Sequence, residues 1–428
     1  MTIDNAIGID VSMHESTFVG LRRSGEEVLT LRLVPHTVDA LKQIAAEILA
    51  LRGSSVAFCE CTGVYHEPVV KALREAGVVI VALNPLLINK FGGDTLRKVE
   101  TDKADARKIA FYGLTWGWKF TPSIAEEPTR VMLKAVSRRY VFFTNRKTAQ
   151  RNHLHALSER VFPGVQNLFT SQDRADGSVK WVDFLNKFPH AECVSKPSLE
   201  KFTKQYKEWS KKHGYYAVKA GEIYSHAKSC VPTLPGNSDS RLLVQTAIEQ
   251  VNQVSATAAV YQKHMLELAS SLPEFHIVSS IFGCGDCTGP QLMAEIGDVR
   301  RFAQSKGYKS LVAFAGVSPG DSQSGKYDAV SNPIDKRGSP YLRRALFSAV
   351  NAYLLNSPQD EPVYITLDKK RSEGKKWLVF MTAAMNKFLK VYYARVMEFF
   401  NSLEMSETSV VGETTLLNDP DLVLKNAA

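Results

Sequence analysis

The 428-residue chain has no apolar run of the roughly 18–20 residues that a membrane-spanning helix needs. Its start, MTIDNAIGID, lacks the basic opening and long apolar stretch of a secretory leader, so a cytoplasmic location with no membrane partner is expected. Cysteine is scarce. The six (Cys59, Cys61, Cys193, Cys230, Cys284 and Cys287) are too few and too scattered for a disulfide framework in a chain of this size. The CGDC of 284–287 has the spacing of a redox or zinc pair, but no second pair follows at finger-like spacing. With Gly283, Gly285 and Gly289 interleaved, it reads as a glycine-rich turn with incidental cysteines. Helix-turn-helix, zinc-finger and RNA-recognition motifs are also missing, which leaves base reading by protein side chains without an obvious element.

What is present is ordinary globular material, 44% hydrophobic and 23% charged, in a length that exceeds a single core of about 250–300 residues. An excess of 53 Lys and Arg over 44 Asp and Glu gives a formal charge of +9, which favours a polyanionic partner such as nucleic acid.

Periodicity divides the chain. The short apolar run AIGIDV (6–11) ends on an acid, and 16–34 reads as two strands around a Ser-Gly turn. A helical stripe over 37–53 stops at Gly53; a strand at 54–60, a helix near 66–76 and a buried strand at 78–84 follow. Strands alternating with helices indicate an α/β layer, which with helical 84–91 and 101–117 closes a first domain near residue 120. A second region, 121–272, holds two long helical patterns (126–161 and 239–272) around a small helical insertion at about 165–238. Paired, the long helices could form a coiled-coil stalk or a dimer interface. A glycine-punctuated, basic third unit spans 273–402, and 403–428 reads as a loose tail.

Between residues 130 and 151 the first long helix carries Arg130, Lys134, Arg138, Arg139, Arg146, Lys147 and Arg151 and no acid. A solvated face normally mixes both signs, so this face is expected to meet a nucleic-acid backbone.

Four acids stand out. Asp10 and Glu60 end strands, and Asp102 and Asp105 lie three apart in TDKADARKI, on one side of a helix. Ligands of open α/β sheets gather beyond the carboxyl ends of strands, and crowded carboxylates are tolerated mainly beside a divalent cation. Oxygen-only ligands suit Mg²⁺, and a pair of such ions can clamp the attacking and leaving oxygens of a phosphodiester. In the last third, GDSQSGKY (320–327) places Ser322 and Ser324 in a glycine-rich loop near Lys326, Lys336, Arg337, Arg343 and Arg344. Such a loop permits an exposed nucleophile with nearby positive charge, and equally describes a polar turn.

The blocks GIDVSMHEST (8–17), ECTGVYHEPVVKAL (60–73), NPLLINKFGGDTLRKVETDKADARKIA (84–110) and NHLHALSERVFPG (152–164) resemble the insertion-sequence transposases with a RuvC-like DEDD domain, also called bridge-RNA-guided recombinases. FGCGDCTGPQLMAEIGDVRRF (282–302), AFAGVSPGDSQSGKY (313–327) and DKRGSPYLRRAL (335–346) resemble the same family's C-terminal transposase domain. Cys61 departs from the pattern, standing where a small residue is expected, and FGCG replaces a proline-led turn.

The resemblance implies an α/β RuvC/RNase H-like N-terminal domain with a mixed sheet, a helical coiled-coil middle and a mainly α C-terminal domain. It implies that Asp10, Glu60, Asp102 and Asp105 bind Mg²⁺, two ions per site with Mn²⁺ as a possible substitute. It places the Gln-Ser-Gly of the family on Gln323, Ser324 and Gly325, making Ser324 a nucleophile that becomes phosphoserine-linked to DNA. The implied partners are donor and target double-stranded DNA, a noncoding bridge RNA, and further copies of the chain in a homodimer that assembles to a tetramer. Three other readings remain open at this point. One is a RuvC-type nuclease with no covalent step, one a catalytically dead nucleic-acid binder. The third is an actin-like sugar kinase suggested by GIDVS alone, which has no second phosphate loop or adenosine motif and leaves the basic helices without a role.

Overall fold

The structure is a computed structural model that describes residues 2–61, 63–91, 101–120, 122–123, 126–169, 179–210, 216–303, 305–319, 323–324, 327–328 and 333–417. It divides into two compact units, Met1–Glu127 and Pro128–Ala428.

The first unit is built on a five-stranded mixed sheet of order β3-β2-β1-β4-β5. β1 (Asn5–Val11), β2 (Glu15–Arg22) and β3 (Glu27–Pro35) form an antiparallel meander, turned at Gly25 with φ +90°. Helix α1 (Val38–Ala50) crosses to β4 (Ser55–Glu60), which runs parallel to β1; α2 (His66–Glu75) crosses to β5 (Val79–Leu83), parallel to β4. Then come α3 (Pro85–Phe91) and α4 (Asp102–Trp116).

Alternation along the strands sorts the two faces. Ile7, Ile9, Val11, Ala57 and Cys59 share a core with Leu41, Ile44 and Ile48 of α1 and with Val69 and Leu73 of α2. On the opposite face, Ala6, Val56 and Phe58 pack with Ile109 and Tyr112 of α4, and Val19 and Leu21 with Ala106 and Ala110. Every strand and helix expected for this part is present, and the mixed sheet with helices on both faces is the architecture expected for it.

The second unit is almost wholly helical. α5 (Pro128–Val161) leads into an insertion of α6 (Lys180–Lys187), α7 (Ala191–Ser195), α8 (Leu199–Ser210) and α9 (Tyr216–Ser229), and α10 (Ser238–Ser270) returns. Leu154, Leu157 and Val161 of α5 share an aromatic-rich core with Val244, Ile248 and Val251 of α10 and with Trp181, Phe184, Phe202 and Tyr206 of the insertion. At the other end Leu133 and Val136 share a core with Met265 and Ala269, so α5 and α10 run antiparallel. Midway between, Phe143 stacks on Tyr261 with ring centroids 5.4 Å apart. The two long helices therefore pair within one chain, and each end of the pair is built into a globular core.

The C-terminal core gathers α11 (Phe275–Ser280), α12 (Thr288–Ile296), α13 (Tyr308–Ala315), α14 (Pro340–Asn356), α15 (Pro362–Ser372) and α16 (Trp377–Leu417) around the buried rings of Tyr353, Phe388 and Tyr392. A two-stranded ribbon, β6 (Gln323–Ser324) with β7 (Tyr327–Asp328), lies between α13 and α14 in sequence. The tail expected to be loose from residue 403 instead continues α16 to Leu417. Once a helix is nucleated, each further residue adds a hydrogen bond, and no proline interrupts 403–417.

Cys284 is buried in this core, where burial pushes its thiol up to about 12. Cys287 accepts a hydrogen bond from Gln291 and donates one to the Tyr140 hydroxyl. Gly283, at φ +82°, makes the turn that precedes them.

One basic residue of α5 does not serve a surface. Arg130 is 5% exposed and holds Glu274 through two hydrogen bonds of 2.5 and 3.1 Å. Replacing Glu274 with Gln removes the carboxylate opposite a buried guanidinium and is expected to cost about 2–4 kcal/mol. Urea unfolding would measure this against Glu267→Gln, whose partner Lys263 is a solvated neighbour one helical turn away; equal midpoints for the two variants would refute the structural role.

Candidate active site

Asp10 and Glu60 approach one another because of strand parity. β1 and β4 are in parallel register through Ile9 and Cys59, so Asp10 and Glu60 stand one position beyond that pair on adjacent strand ends. Asp10 follows Ala6 and Gly8, and Glu60 follows Val56 and Phe58, which places both on the face covered by α4.

Helix α4 begins there. Thr101 caps it, its hydroxyl accepting from the Ala104 amide at 3.2 Å, and Asp102 and Asp105 occupy the first turn, where the helix dipole favours carboxylates. The height of the helix over the sheet is set by two glycines. A Cβ on Gly8 would lie 2.0 Å from the Ala106 carbonyl oxygen, and one on Gly113 would lie 2.4 Å from the Phe58 ring. No side chain separates α4 from β1 at Gly8, so the first turn of α4 is brought down onto the strand ends.

The electrostatics register the proximity. Burial, then the charges of Asp105, Asp102 and Glu60, push the Asp10 carboxyl from 3.8 up to about 6. Glu60 is also raised, by burial and by Asp105, with Lys108 partly offsetting. Four carboxylates on one face, two of them with raised proton affinity, offer a hard, oxygen-only donor set that fits a divalent cation. Among the described residues, no three acidic, histidine or cysteine side chains already converge as a cluster able to hold a metal ion. The side chains of Asp102, exposed, and Asp105, half-buried, would therefore have to turn towards Asp10 and Glu60 to share one. Cys61, beside Glu60, is half-buried and its thiol is raised by burial and by Glu60, so it adds no thiolate to the site.

In the second unit the serine loop stands on a short backbone stem. Lys336 N–H donates to Gly316 O at 3.1 Å and Asp335 N–H to Ser318 O at 3.0 Å, and Pro319 bridges Ile334. The stem closes tightly, since a Cβ on Gly338 would sit 2.0 Å from Phe314 O, and Gly316 takes the left-handed φ of +65°. Ser324 is in β6 above this stem; its side chain, like Ser322 and Lys326, lies outside the described residues.

The expected basic residues divide by role. Arg138 pairs with Glu295, whose side chain is only 1% exposed, and lies 4.9 Å from the Tyr341 ring centroid. Glu295 also accepts from Ser339, the residue that caps α14, so Arg138 helps clamp the foot of the serine loop. Arg343 donates to the Gly338 carbonyl at 2.6 Å and thus also braces the loop from inside. Arg130 is a correction to the expected phosphate contacts, being buried against Glu274, while Arg138 and Arg343 are engaged by protein acceptors without being buried. Arg337 pairs with Asp335 at 2.8 Å, and exposed Lys336 sits at φ +55° in the same turn.

Arg139 and Arg146 remain exposed, flanking Phe142 at 5.1 and 4.7 Å from its ring centroid. Arg344 reaches Asn145 on the same helix, while Lys134, Lys147 and Arg151 are half-buried along it. The Glu274 and Glu295 partners, and the brace at Arg343, were missed in the sequence because their contacts span up to 157 residues and carry no local motif.

A family model for DEDD IS110 transposases matches residues 7–163, and the model of the transposase IS116/IS110/IS902 family matches residues 275–364. Among solved structures the chain is similar to T. thermophilus RuvC in complex with Holliday junction substrate, at 15% identity and TM-score 0.21, over 28% of this chain and 98% of that one. A second Thermus thermophilus RuvC structure matches at 16% identity, TM-score 0.21 and the same coverage. No curated protein matches. The first match contains all four acids and the second contains the loop with Ser324, in chain order and together over more than half the chain; the protein belongs to the IS110-type insertion-sequence transposases, enzymes that cut and rejoin DNA.

Proposed function

We propose that this transposase is an RNA-guided, Mg²⁺-dependent recombinase that excises and inserts its own element through a phosphoserine link at Ser324. The observation that carries the reading is the gathering of Asp10, Glu60, Asp102 and Asp105 on one face at the strand ends, with Asp10 raised to about 6 by burial and its acidic neighbours. These four residues would hold one or two Mg²⁺ ions, with Mn²⁺ as a substitute. When bound, such ions polarise phosphoryl oxygens and neutralise charge that develops on the attacking and leaving oxygens.

The chain supplies the rest. Ser324 Oγ forms a bond to phosphorus as the bond from phosphorus to the departing sugar oxygen breaks, and the serine proton ends on that oxygen. In the return step the free hydroxyl of the other DNA attacks the phosphoserine and restores the serine. Lys326, Lys336 and Arg344 contribute positive charge around this loop, and Arg139, Arg146, Lys147 and Arg151 offer a basic helix face to nucleic-acid backbones. A noncoding bridge RNA would choose donor and target by base pairing, which is supported by the lack of any base-reading motif in the protein. A homodimer, and a tetramer when two DNAs are joined, would bring the acids of one subunit to the serine of another.

The test incubates wild-type and Ser324→Ala protein with Mg²⁺, the element's flanking RNA and labelled donor and target DNA. Recombinant product and a protease-sensitive adduct on denaturing gels are expected with wild type only. Cleavage that persists equally in both without an adduct would leave a metal-dependent nuclease and end the covalent reading.

A further inference from the structure

We propose that the cavity between α13 and α16 is a phosphate-binding subsite for the DNA strand engaged by the serine loop, an assignment that rests on the proposed serine chemistry. The cavity has a volume of about 470 Å³ and is lined by Tyr308 and Lys309 of α13, Ser318 of the loop stem, and Asn386, Lys387 and Lys390 of α16. Three ammonium groups thus border one concavity with no acidic side chain in its lining. Among the described residues none of the three has an ion-pair partner, whereas Arg337 and Arg343 nearby are held by Asp335 and by Gly338 O.

Like charges collected in a hollow repel one another and focus a positive field into it, an arrangement that gains stability when an anion enters. The ligand chemistry is that of a phosphodiester. Lysine offers point charges of the kind that bind phosphate oxygens, and Ser318 and Asn386 add neutral polar groups at the wall. Lys390 Nζ lies 5.2 Å from the Tyr308 ring centroid.

The cavity wall is continuous with the serine loop. Asn386 donates to Val317 O at 3.2 Å and to Thr382 O at 3.0 Å, which ties α16 to the stem of the serine loop. From Ser318 to Ser324 the chain can span at most roughly 20 Å. A DNA strand presents a phosphate about every 3.4 Å of axis, so an occupant of the cavity belongs within about six nucleotides of the phosphorus that Ser324 attacks. Lys309 precedes the loop and Lys387 and Lys390 follow it at a distance in sequence, so only the packing of α13 on α16 brings them together.

The experiment uses the full-length protein with Lys309, Lys387 and Lys390 all changed to Gln, and the double variant Lys309→Gln/Lys390→Gln, which alters exposed positions only and keeps the test open if the triple variant misfolds. Binding of a fluorescent random-sequence DNA duplex, without RNA, is followed across a salt series. The expected result is a plot of log K against log salt that is shallower by about 1 in the triple variant, as for the loss of one phosphate contact, with the slope regained when the three lysines are changed to Arg. A slope equal to wild type overturns the subsite. An equal loss on an RNA hairpin of the same length overturns its assignment to DNA. Adduct formation is measured in parallel: a wild-type adduct with an unchanged slope sinks only the subsite, whereas a reduced slope with no wild-type adduct sinks the serine chemistry and leaves a phosphate site standing.

Discussion

Asp10→Asn protein is expected to lose Mg²⁺-dependent DNA cleavage by about 10⁴-fold or more, as for removal of a central catalytic group, and yet to be more stable than wild type at neutral pH. Asn keeps the shape of the side chain at the end of β1 and removes the charge that its neighbours oppose. In the folded protein Asp10 holds its proton up to about pH 6, against an ordinary 3.8, so the native state binds more protons than the unfolded chain between those values. Stability from this group is therefore fully present below about pH 4 and is lost as pH rises through about 6. The unscreened cost above that pH is about 3 kcal/mol, and for a half-buried group exposed to solvent screening about 1–2 kcal/mol. Thermal unfolding of the variant at pH 7.5 should come several degrees higher, at roughly 2–4 °C per kcal/mol. Titrating Mg²⁺ should raise the wild-type midpoint and move the variant's little, because a ligand that binds only the native state stabilises it by mass action. A variant that melts lower than wild type at both pH 5 and pH 7.5 would show that Asp10 supports the fold rather than a charge site.

The second large effect is steric. Gly8→Ala introduces a methyl group 2.0 Å from Ala106 O and 2.5 Å from Ala110 N, both backbone atoms of α4. Neither can rotate away, so the helix must rise from the sheet and carry Asp102 and Asp105 away from Asp10 and Glu60. A loss of about 2–4 kcal/mol is expected from overpacking, with cleavage reduced about 10²-fold in whatever protein remains folded, as for an ångström-scale misplacement. Gly221→Ala is the control, since nothing lies within 4 Å of its added methyl in the helix α9. It should be neutral or stabilise by up to about 1 kcal/mol. Full activity in Gly8→Ala would mean that the close approach of α4 to β1 does not set the distance between the acids.

The Gly8 contact illustrates which parts of the site could be read before the fold was known. Strand ends at Asp10 and Glu60 follow from short apolar runs stopped by acids, and the three-residue spacing of Asp102 and Asp105 puts both on one side of a helix. What alternation could not show is that Gly8 is bare because a helix backbone lies against it. Nor could it show that β1 and β4 are neighbours in parallel register, since that pairing joins residues about fifty apart.

The basic helix teaches the complementary lesson. Its run of seven cations without an acid was legible, but the acids that neutralise two of them are Glu274, on the turn ahead of α11, and Glu295, on α12. A local charge count sees only one side of such a pair. Conversely, Lys309, Lys387 and Lys390 lie up to 81 positions apart in the sequence and share a cavity wall in the fold.

By itself the sequence determined the order of strands and helices in the first unit, the two long helices of the second, the identity of the four acids and the matched family blocks, because hydrophobic period and turn glycines act over a few residues. The tertiary structure alone decided which cations are spent inside the protein, which remain on its surface, and how closely α4 approaches the strand ends. Those outcomes depend on packing and on charge partners more than a hundred residues distant, and no local pattern encodes them.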